Sequence, residues 1–347
     1  MTPVYFDNAA TTALRPEVVT AITESLNDQF GNPSSTHSFG RSSKALIEKA
    51  RKSIATTLGA KPSEIYFTSG GTEADNIVIR CAARDLAVKR IITSPIEHHA
   101  VGHTIDRLKT KGLVDVTYVH LDENGHVDLQ HLDQILSTSA KTLVSLMHAN
   151  NEVANLLPLH RVSEICQKHG AVFHSDTVQT MAHYRFDMQE LEHVHFLACS
   201  AHKFHGPKGV GFLYVNKSVQ INPLIHGGSQ ERNMRGGTEN VYGIVGLSKA
   251  MDVAYKDLNT HQNYVIDLKS YMIKQLNNSI VGVKYNADSF SMDNSLYTIL
   301  SVSLPPTDIA PMMLFNMDIM GVACSGGSAC TSGSNIGSHV LEGIDAP

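Results

Sequence analysis

The stretch Val194 to Val215, VHFLACSAHKFHGPKGVGFLYV, runs an apolar segment into Ser200, Ala201, His202 and Lys203, turns on Gly206 and Pro207, and enters a second apolar run. A lysine at the mouth of a strand is usually a solvated loop charge, so Lys203 gains meaning only through partners. Ligands of open α/β sheets bind beyond the carboxyl ends of the strands, and the residues following the other apolar runs are the ones to gather. After EIYF comes TSGGTEADN, a glycine-containing turn that opens a helix. Its free N–H groups and the helix dipole suit a phosphate, with the Thr72 hydroxyl as a further donor. SPIEHHA supplies His98 and His99, MHANNE supplies Asn150 and Asn151, and AVFHSD ends in Asp176, followed by Gln179. A metal reading of His98, His99 and His103 lacks a carboxylate or cysteine at ligand spacing, so no metal site is expected.

An acid at the end of an otherwise buried strand needs a partner, and a protonated heterocyclic nitrogen would be one. A phosphate turn, an imidazole, an aspartate, a glutamine and a lysine together describe pyridoxal 5'-phosphate held as a Schiff base. Asp176 would keep the pyridine nitrogen protonated, His98 would stack on the ring and could move protons, and Lys203 would carry the cofactor and then act as a base. Ser200 and His202, flanking the lysine, are placed to donate to the phosphate.

The elements that must position these residues are legible in the patterning. Between Glu64 and Val215 the runs EIYFT, RIITS, VDVTYV, TLVSLMH, AVFHSD, VHFLACS and GVGFLYV read as strands, most of them separated by amphipathic helices such as Ala100 to Lys111 and Leu159 to His169. That alternation predicts an α/β unit with a mainly parallel, seven-stranded sheet. Upstream, Leu46, Ala50, Ile54 and Leu58 form a helical stripe that stops at Gly59. A helix over Val241 to Tyr255 leads into a second, smaller α+β unit. The expected division is a large cofactor-binding domain over 1–261, with the N-terminal segment, and a small domain over 262–347.

A chain of 347 residues with 42% hydrophobic content can bury a large core, and a net charge of -5 with no basic run gives no support to nucleic-acid or polybasic membrane contact. The opening MTPVYFDNAATT lacks a charged leader and an apolar signal core, and a soluble, cytoplasmic protein is expected. Five scattered cysteines argue against a disulfide framework. Cys81, Cys166 and Cys199 lie in apolar patterns and read as packing. Cys330, in SGGSACTS, does not.

The stretches YFDNAATT, GNPSSTHSFGR, FTSGGTEADN, EHHA, NNE, HSDTVQ, SAHKFHGPKG, MRGGTEN and SGGSACTS run in order from Tyr5 to Ser332. Together they resemble the cysteine desulfurases of the NifS/IscS-like group, within the class V aminotransferase family. The resemblance implies the type I pyridoxal-phosphate fold, a homodimer with the active site at the interface, and conversion of L-cysteine to L-alanine with the sulfur left as a persulfide on Cys330. It further implies that Gly71, Thr72, Ser200 and His202 hold the phosphate, together with Thr238 of the other subunit. Asn151 and Gln179 would contact the cofactor hydroxyl or the substrate. A sulfur-acceptor protein, such as an iron–sulfur scaffold or a thiolation carrier, is the implied partner. Another enzyme of the family, such as a selenocysteine lyase or an aminotransferase, and an idle scaffold with the same fold are the alternatives.

The sequence departs from the family's pattern at Ala154 and Ala182, which stand where glycine is frequent. Family members also continue past the position of Pro347 and carry there an arginine that grips the substrate carboxylate, so the small domain reads as incomplete at its C-terminus. Arg232 and Arg235 are the nearest replacements in sequence.

Overall fold

The computed structural model describes residues 2–138, 140–308, 310–327 and 337–346. After a short strand β1 (Val4–Tyr5), two helices, α1 (Pro16–Asp28) and α2 (Ser38–Thr57), precede the main sheet. Along α2, Ile47, Ala50 and Ile54 are buried, and Leu46 packs against the same core, as the stripe requires. The helix ends before Gly59, whose φ of 64° is the left-handed conformation expected of a glycine there.

The main sheet is built from β2 (Ile65–Thr68), β3 (Arg90–Thr93), β4 (Asp115–Tyr118), β5 (Thr142–Ser145), β6 (Val172–Asp176), β7 (Phe196–Ser200) and β8 (Gly211–Val215). Their spatial order is β2-β8-β7-β6-β5-β3-β4. All pairings are parallel except those of β8, which is antiparallel to both β2 and β7. Each of the seven apolar runs in the sequence supplies one strand. Helices α3 (Gly71–Asp85), α4 (His99–Thr110), α5 (Leu129–Leu136) and α6 (Leu159–Lys168) are the crossovers. Strand alternation divides the core between two layers: Val144, Phe173, Leu197 and Phe212 pack on one face, and Leu143, Val172, Phe196 and Leu213 on the other, against α3 and α4.

Beyond α7 (Val241–Lys256) and α8 (Leu258–Ser279) lie an antiparallel pair, β9 (Lys284–Tyr285) with β10 (Val302–Ser303), the helix α9 (Met313–Ile319), β11 (Val322–Ala323) and α10 (His339–Gly343). The N-terminal strand β1 pairs in parallel with β11, Val4 opposite Val322, so the start of the chain is tied to the segment that follows α9. No helix among the described residues is long and apolar enough to cross a membrane.

Ala154 and Ala182 both hold positive φ, 68° and 64°. The backbone at these sites keeps the left-handed shape for which glycine is suited, although alanine occupies it.

Candidate active site

The site forms at the carboxyl edge of the main sheet. Thr68 closes β2, and Gly70 follows with φ 149° and ψ -173°, a conformation essentially confined to glycine. Gly71 then opens α3, and a Cβ there would lie 2.4 Å from Val178 Cγ2, so only glycine lets the turn approach the loop after β6. The turn is fixed from outside by Glu73, which accepts from the Ser69 N–H at 2.8 Å and from Arg235 Nε at 2.9 Å. Burial works against the Glu73 anion, but those bonds outweigh it and hold the carboxyl below the usual range.

Ser69, Gly71, Thr72, Ser200 and His202 line a cavity of about 360 Å³ with Lys208, a cation that the sequence reading did not single out. Burial, with Lys203 and Lys208 adding, lowers His202 to about 4, so its ring is neutral. The helix N-terminus, hydroxyls, neutral imidazole and lysine form a donor set for a phosphate, and the two glycines leave the cradle open to one.

Deeper in, Asp176 ends β6 and is 6% exposed, with one oxygen accepting from the Val178 N–H at 2.8 Å. Burial pushes its carboxyl up, while His98 and Lys203 pull the other way. His98 caps α4: its Nδ1 accepts from the Ala100 N–H at 3.1 Å. Burial pushes His98 down, with Asp176 opposing and Lys203 reinforcing. Lys203 Nζ donates to the carbonyl oxygens of Ala9 and Ala10, at 2.5 and 3.1 Å. Gln179, nearly buried, donates to the same Ala9 oxygen at 3.0 Å. Asp176, His98, Gln179, Lys203, Ser200, His202, Gly71 and Thr72 thus converge from separate strand ends.

The N-terminal segment is the contribution that sequence reasoning missed. Its YFDNAATT motif entered only as part of a resemblance, yet Ala9 and Ala10 provide acceptors at the lysine. Thr11 Oγ1 meets His202 Nδ1 at 3.2 Å, and the Thr12 hydroxyl donates to the His202 carbonyl oxygen at 2.9 Å. Backbone carbonyls leave no side-chain signature, so only the motif itself could have pointed there.

Other expected residues stand apart. Asn150 is committed to its own turn, accepting from the Glu152 and Val153 N–H groups and donating to the Ile96 carbonyl, whereas Asn151 beside it is half-buried. Thr238 is exposed and is not among the residues lining the cavity of its own chain. Neither arginine considered for the substrate carboxylate is available: Arg232 is bound to Glu48 and the Pro62 carbonyl, and Arg235 to Glu73. Cys330 lies outside the described residues. His99 stacks on His103 with ring centroids 4.5 Å apart, and its ring lies tilted against that of His339 at 4.4 Å.

A doubly wound sheet with a phosphate turn, a buried aspartate and a lysine at its carboxyl edge defines a class of cofactor-dependent α/β enzymes. The class-V aminotransferase profile matches residues 4–341, and the chain belongs to that family. A cysteine desulfurase IscS of Dictyoglomus turgidum is 43% identical over 99% of this chain and 86% of its own. Among solved structures, a NifS-like protein superposes with a TM-score of 0.90 at 38% identity, covering 100% of this chain and 90% of that one. The structure titled SspA in complex with cysteine superposes with a TM-score of 0.85 at 32% identity, covering 99% and 94%. The fold is that of the type I pyridoxal-phosphate enzymes.

Proposed function

We infer that the protein is a pyridoxal-phosphate-dependent cysteine desulfurase, converting L-cysteine to L-alanine and leaving the sulfur on Cys330. The observation that carries this reading is the convergence of Lys203, Asp176 and His98 beside a glycine phosphate turn, in a chain whose relatives are named for that activity.

When bound, the cofactor supplies an electron sink and a covalent anchor for the substrate amine. Gly71, Thr72, Ser200 and His202 would hold its phosphate, Asp176 its ring nitrogen and Lys203 its aldehyde carbon. Gln179 and Asn151 would contact its hydroxyl or the substrate, and Thr238 would reach the phosphate of the second subunit of a homodimer. An exposed aromatic pair, Phe30 just before the GNPSSTHSFGR motif and Phe39 within it, with ring centroids 5.0 Å apart, supports a covered surface there.

The Ala100 N–H occupies the Nδ1 lone pair of His98, so the neutral ring carries its proton on Nε2 and offers that atom as a donor. This favours Lys203, rather than His98, as the base that takes the α-proton. The Cys330 thiolate would attack the substrate sulfur: an S–S bond forms, the Cβ–S bond breaks, and the carbon gains a proton to become the methyl of alanine. The thiol sulfur is thereby oxidised to the persulfide level and the carbon reduced, so no external oxidant is required. An iron–sulfur scaffold or a thiolation carrier would accept the sulfur.

The test is incubation of the cofactor-loaded protein with L-cysteine and a thiol reductant, with alanine and sulfide measured together. Equal amounts of the two are expected. Turnover of selenocysteine alone, transamination without sulfide, or no product from a loaded protein would replace this reading with one of its rivals.

A further inference from the structure

The layer between the main sheet and α3 is apolar except for one seam. Leu143 of β5, Val172 of β6 and Phe196 and Ala198 of β7 pack there against Ala74, Ile77 and Val78 of α3. By strand alternation the same face receives Ser145, His174 and Asp176 at the carboxyl ends of β5 and β6. Ser145 Oγ lies 2.9 Å from His174 Nδ1, and His174 Nε2 lies 3.4 Å from Asp75 Oδ1. The side chains of His174 and Asp75 are 0% and 1% exposed. Asp75 sits one turn into α3 from Gly71, so the seam joins the helix of the phosphate turn to the strand of Asp176.

A buried polar chain inside an apolar layer is unfavourable unless every member finds a partner. Here the difficulty is greater, because three carboxyls share the region. Asp75 is close enough to Asp176 and Glu97 for each to oppose its ionisation. Among the described residues, no lysine or arginine forms an ion pair with Asp75 or Glu97, and Asp75 Oδ1, Glu97 Oε2 and His174 Nε2 have no hydrogen-bond partner of standard geometry. His98 and Lys203 favour the anion of Asp176, but ionising Asp75 and Glu97 beside it in a dry site is not sustainable.

We propose that Asp75 is a carboxylic acid kept in its neutral form, and that the Asp75–His174–Ser145 chain is a positioning device that leaves Asp176 as the one anion facing the cofactor. In this arrangement Asp75 donates its O–H to His174 Nε2, and His174 Nδ1–H donates to Ser145 Oγ. Burial raises Asp75 well above the carboxylate range and lowers His174 to about 3, which puts the shared proton on the acid. The groups facing the site from the other elements are consistent with this assignment. Glu97, after β3, is raised to about 8 by burial, opposed by the Met147 N–H bond and reinforced by Asp176. His98 before α4 and Lys203 after β7 favour the anion of Asp176. The proposal rests on the reading that Asp176 serves the ring nitrogen.

The experiment is infrared difference spectroscopy of the pyridoxal-phosphate-loaded protein, wild type minus variant, in light and heavy water. Asp75→Asn should remove one carbonyl band of a protonated carboxylic acid, and His174→Phe should keep that band but shift it upward, because the acid loses its acceptor. A difference spectrum without that acid band, or a band that His174→Phe does not move, overturns the proposal. Should a variant fail to fold, a pH series on the wild type decides. Acid-band intensity should persist after the Glu97 contribution fades near pH 8, and complete loss below that pH refutes the assignment. The nitrogen-15 resonance of ring-labelled pyridoxal phosphate separates the proposal from its premise. Asp75→Asn should leave it at the pyridinium position, and a shift to the unprotonated value overturns the proposal. Asp176→Asn should move it, and an unmoved resonance removes Asp176 from the ring nitrogen whatever the state of Asp75.

Discussion

Lys203 and Ala9, 194 residues apart in sequence, are joined: the lysine Nζ donates to the Ala9 carbonyl oxygen at 2.5 Å, and Gln179 donates to the same oxygen. The N-terminal segment is therefore a wall of the site, and the one lysine it holds is the one at the end of β7. Borohydride reduction of the pyridoxal-phosphate-loaded protein should fix the cofactor on the peptide containing Lys203. Lys203→Ala should give no labelled peptide and lose the visible absorption of the covalent form. A label elsewhere in the wild type, or one retained in the variant, would remove Lys203 from its role.

Ala154 and Ala182 permit a test of backbone strain. A left-handed residue other than glycine costs about 1–2 kcal/mol. Replacement by glycine recovers this but forfeits about 0.5–1 kcal/mol of chain entropy and about 0.8 kcal/mol for a buried methyl. The two substitutions should therefore be close to neutral. Ala82→Gly, fully buried inside α3 where the backbone is helical, should lose about 2 kcal/mol from the entropy and methyl terms together. Denaturant midpoints of the three variants check the contrast, and equal losses at all three positions would show that the positive φ carries no strain.

The sheet was legible because each strand is an apolar run bounded by turn residues, and the site followed from reading the residue after each run. Asp176 and Lys203 were singled out this way, whereas Ala154 and Ala182 stood out only as departures from frequent glycines, and the left-handed backbone they keep is visible in the structure alone. Asp75 and Glu97 were not singled out. In TEADN and SPIEHHA they look like ordinary polar residues near a helix start, and only the packing of α3 and of the loop after β3 buries them. The Ala9 carbonyl and the pairing of β1 with β11 were equally hidden, since two-residue strands have no periodicity and backbone acceptors have no residue type. Arg235 looked free in sequence, and Glu73 occupies it.

Glu97 gives the protein a pH dependence of defined sign. Its carboxyl is raised by burial from an ordinary 4.5 to about 8, so the folded state holds a proton that the unfolded chain releases. Stability from this group is present below pH 4.5 and declines as pH rises through about 8. Within that window the slope from one proton is about -1.4 kcal/mol per pH unit. Glu97→Gln keeps an acceptor for the Met147 N–H and Ser94 hydroxyl and removes the titration. Its denaturation midpoint should fall less steeply than that of the wild type between pH 5 and pH 8 (about the span set by the two pKa values). Parallel curves would mean that Glu97 is already ionised in the folded state.

The sulfur chemistry rests on distinguishing two cysteines. Cys324 follows β11, half-buried, with its sulfur 3.7 Å from Met317 Sδ. Burial, with the nearby Asp7 adding, pushes its thiol up and lowers the thiolate fraction available for attack. Cys330→Ser should retain the absorption of the loaded protein and its spectral response to L-cysteine, because binding the amine does not need the thiol. Sulfide release should fall to background, since a hydroxyl is a far weaker nucleophile toward sulfur and cannot hold a persulfide. Cys324→Ser should release sulfide at close to the wild-type rate. Mass spectrometry of the wild type after exposure to L-cysteine should find one added sulfur on the Cys330 peptide, removable by reductant, and none on Cys324. Sulfur on Cys324, or wild-type turnover by Cys330→Ser, would assign the acceptor role to another residue and refute the proposed transfer.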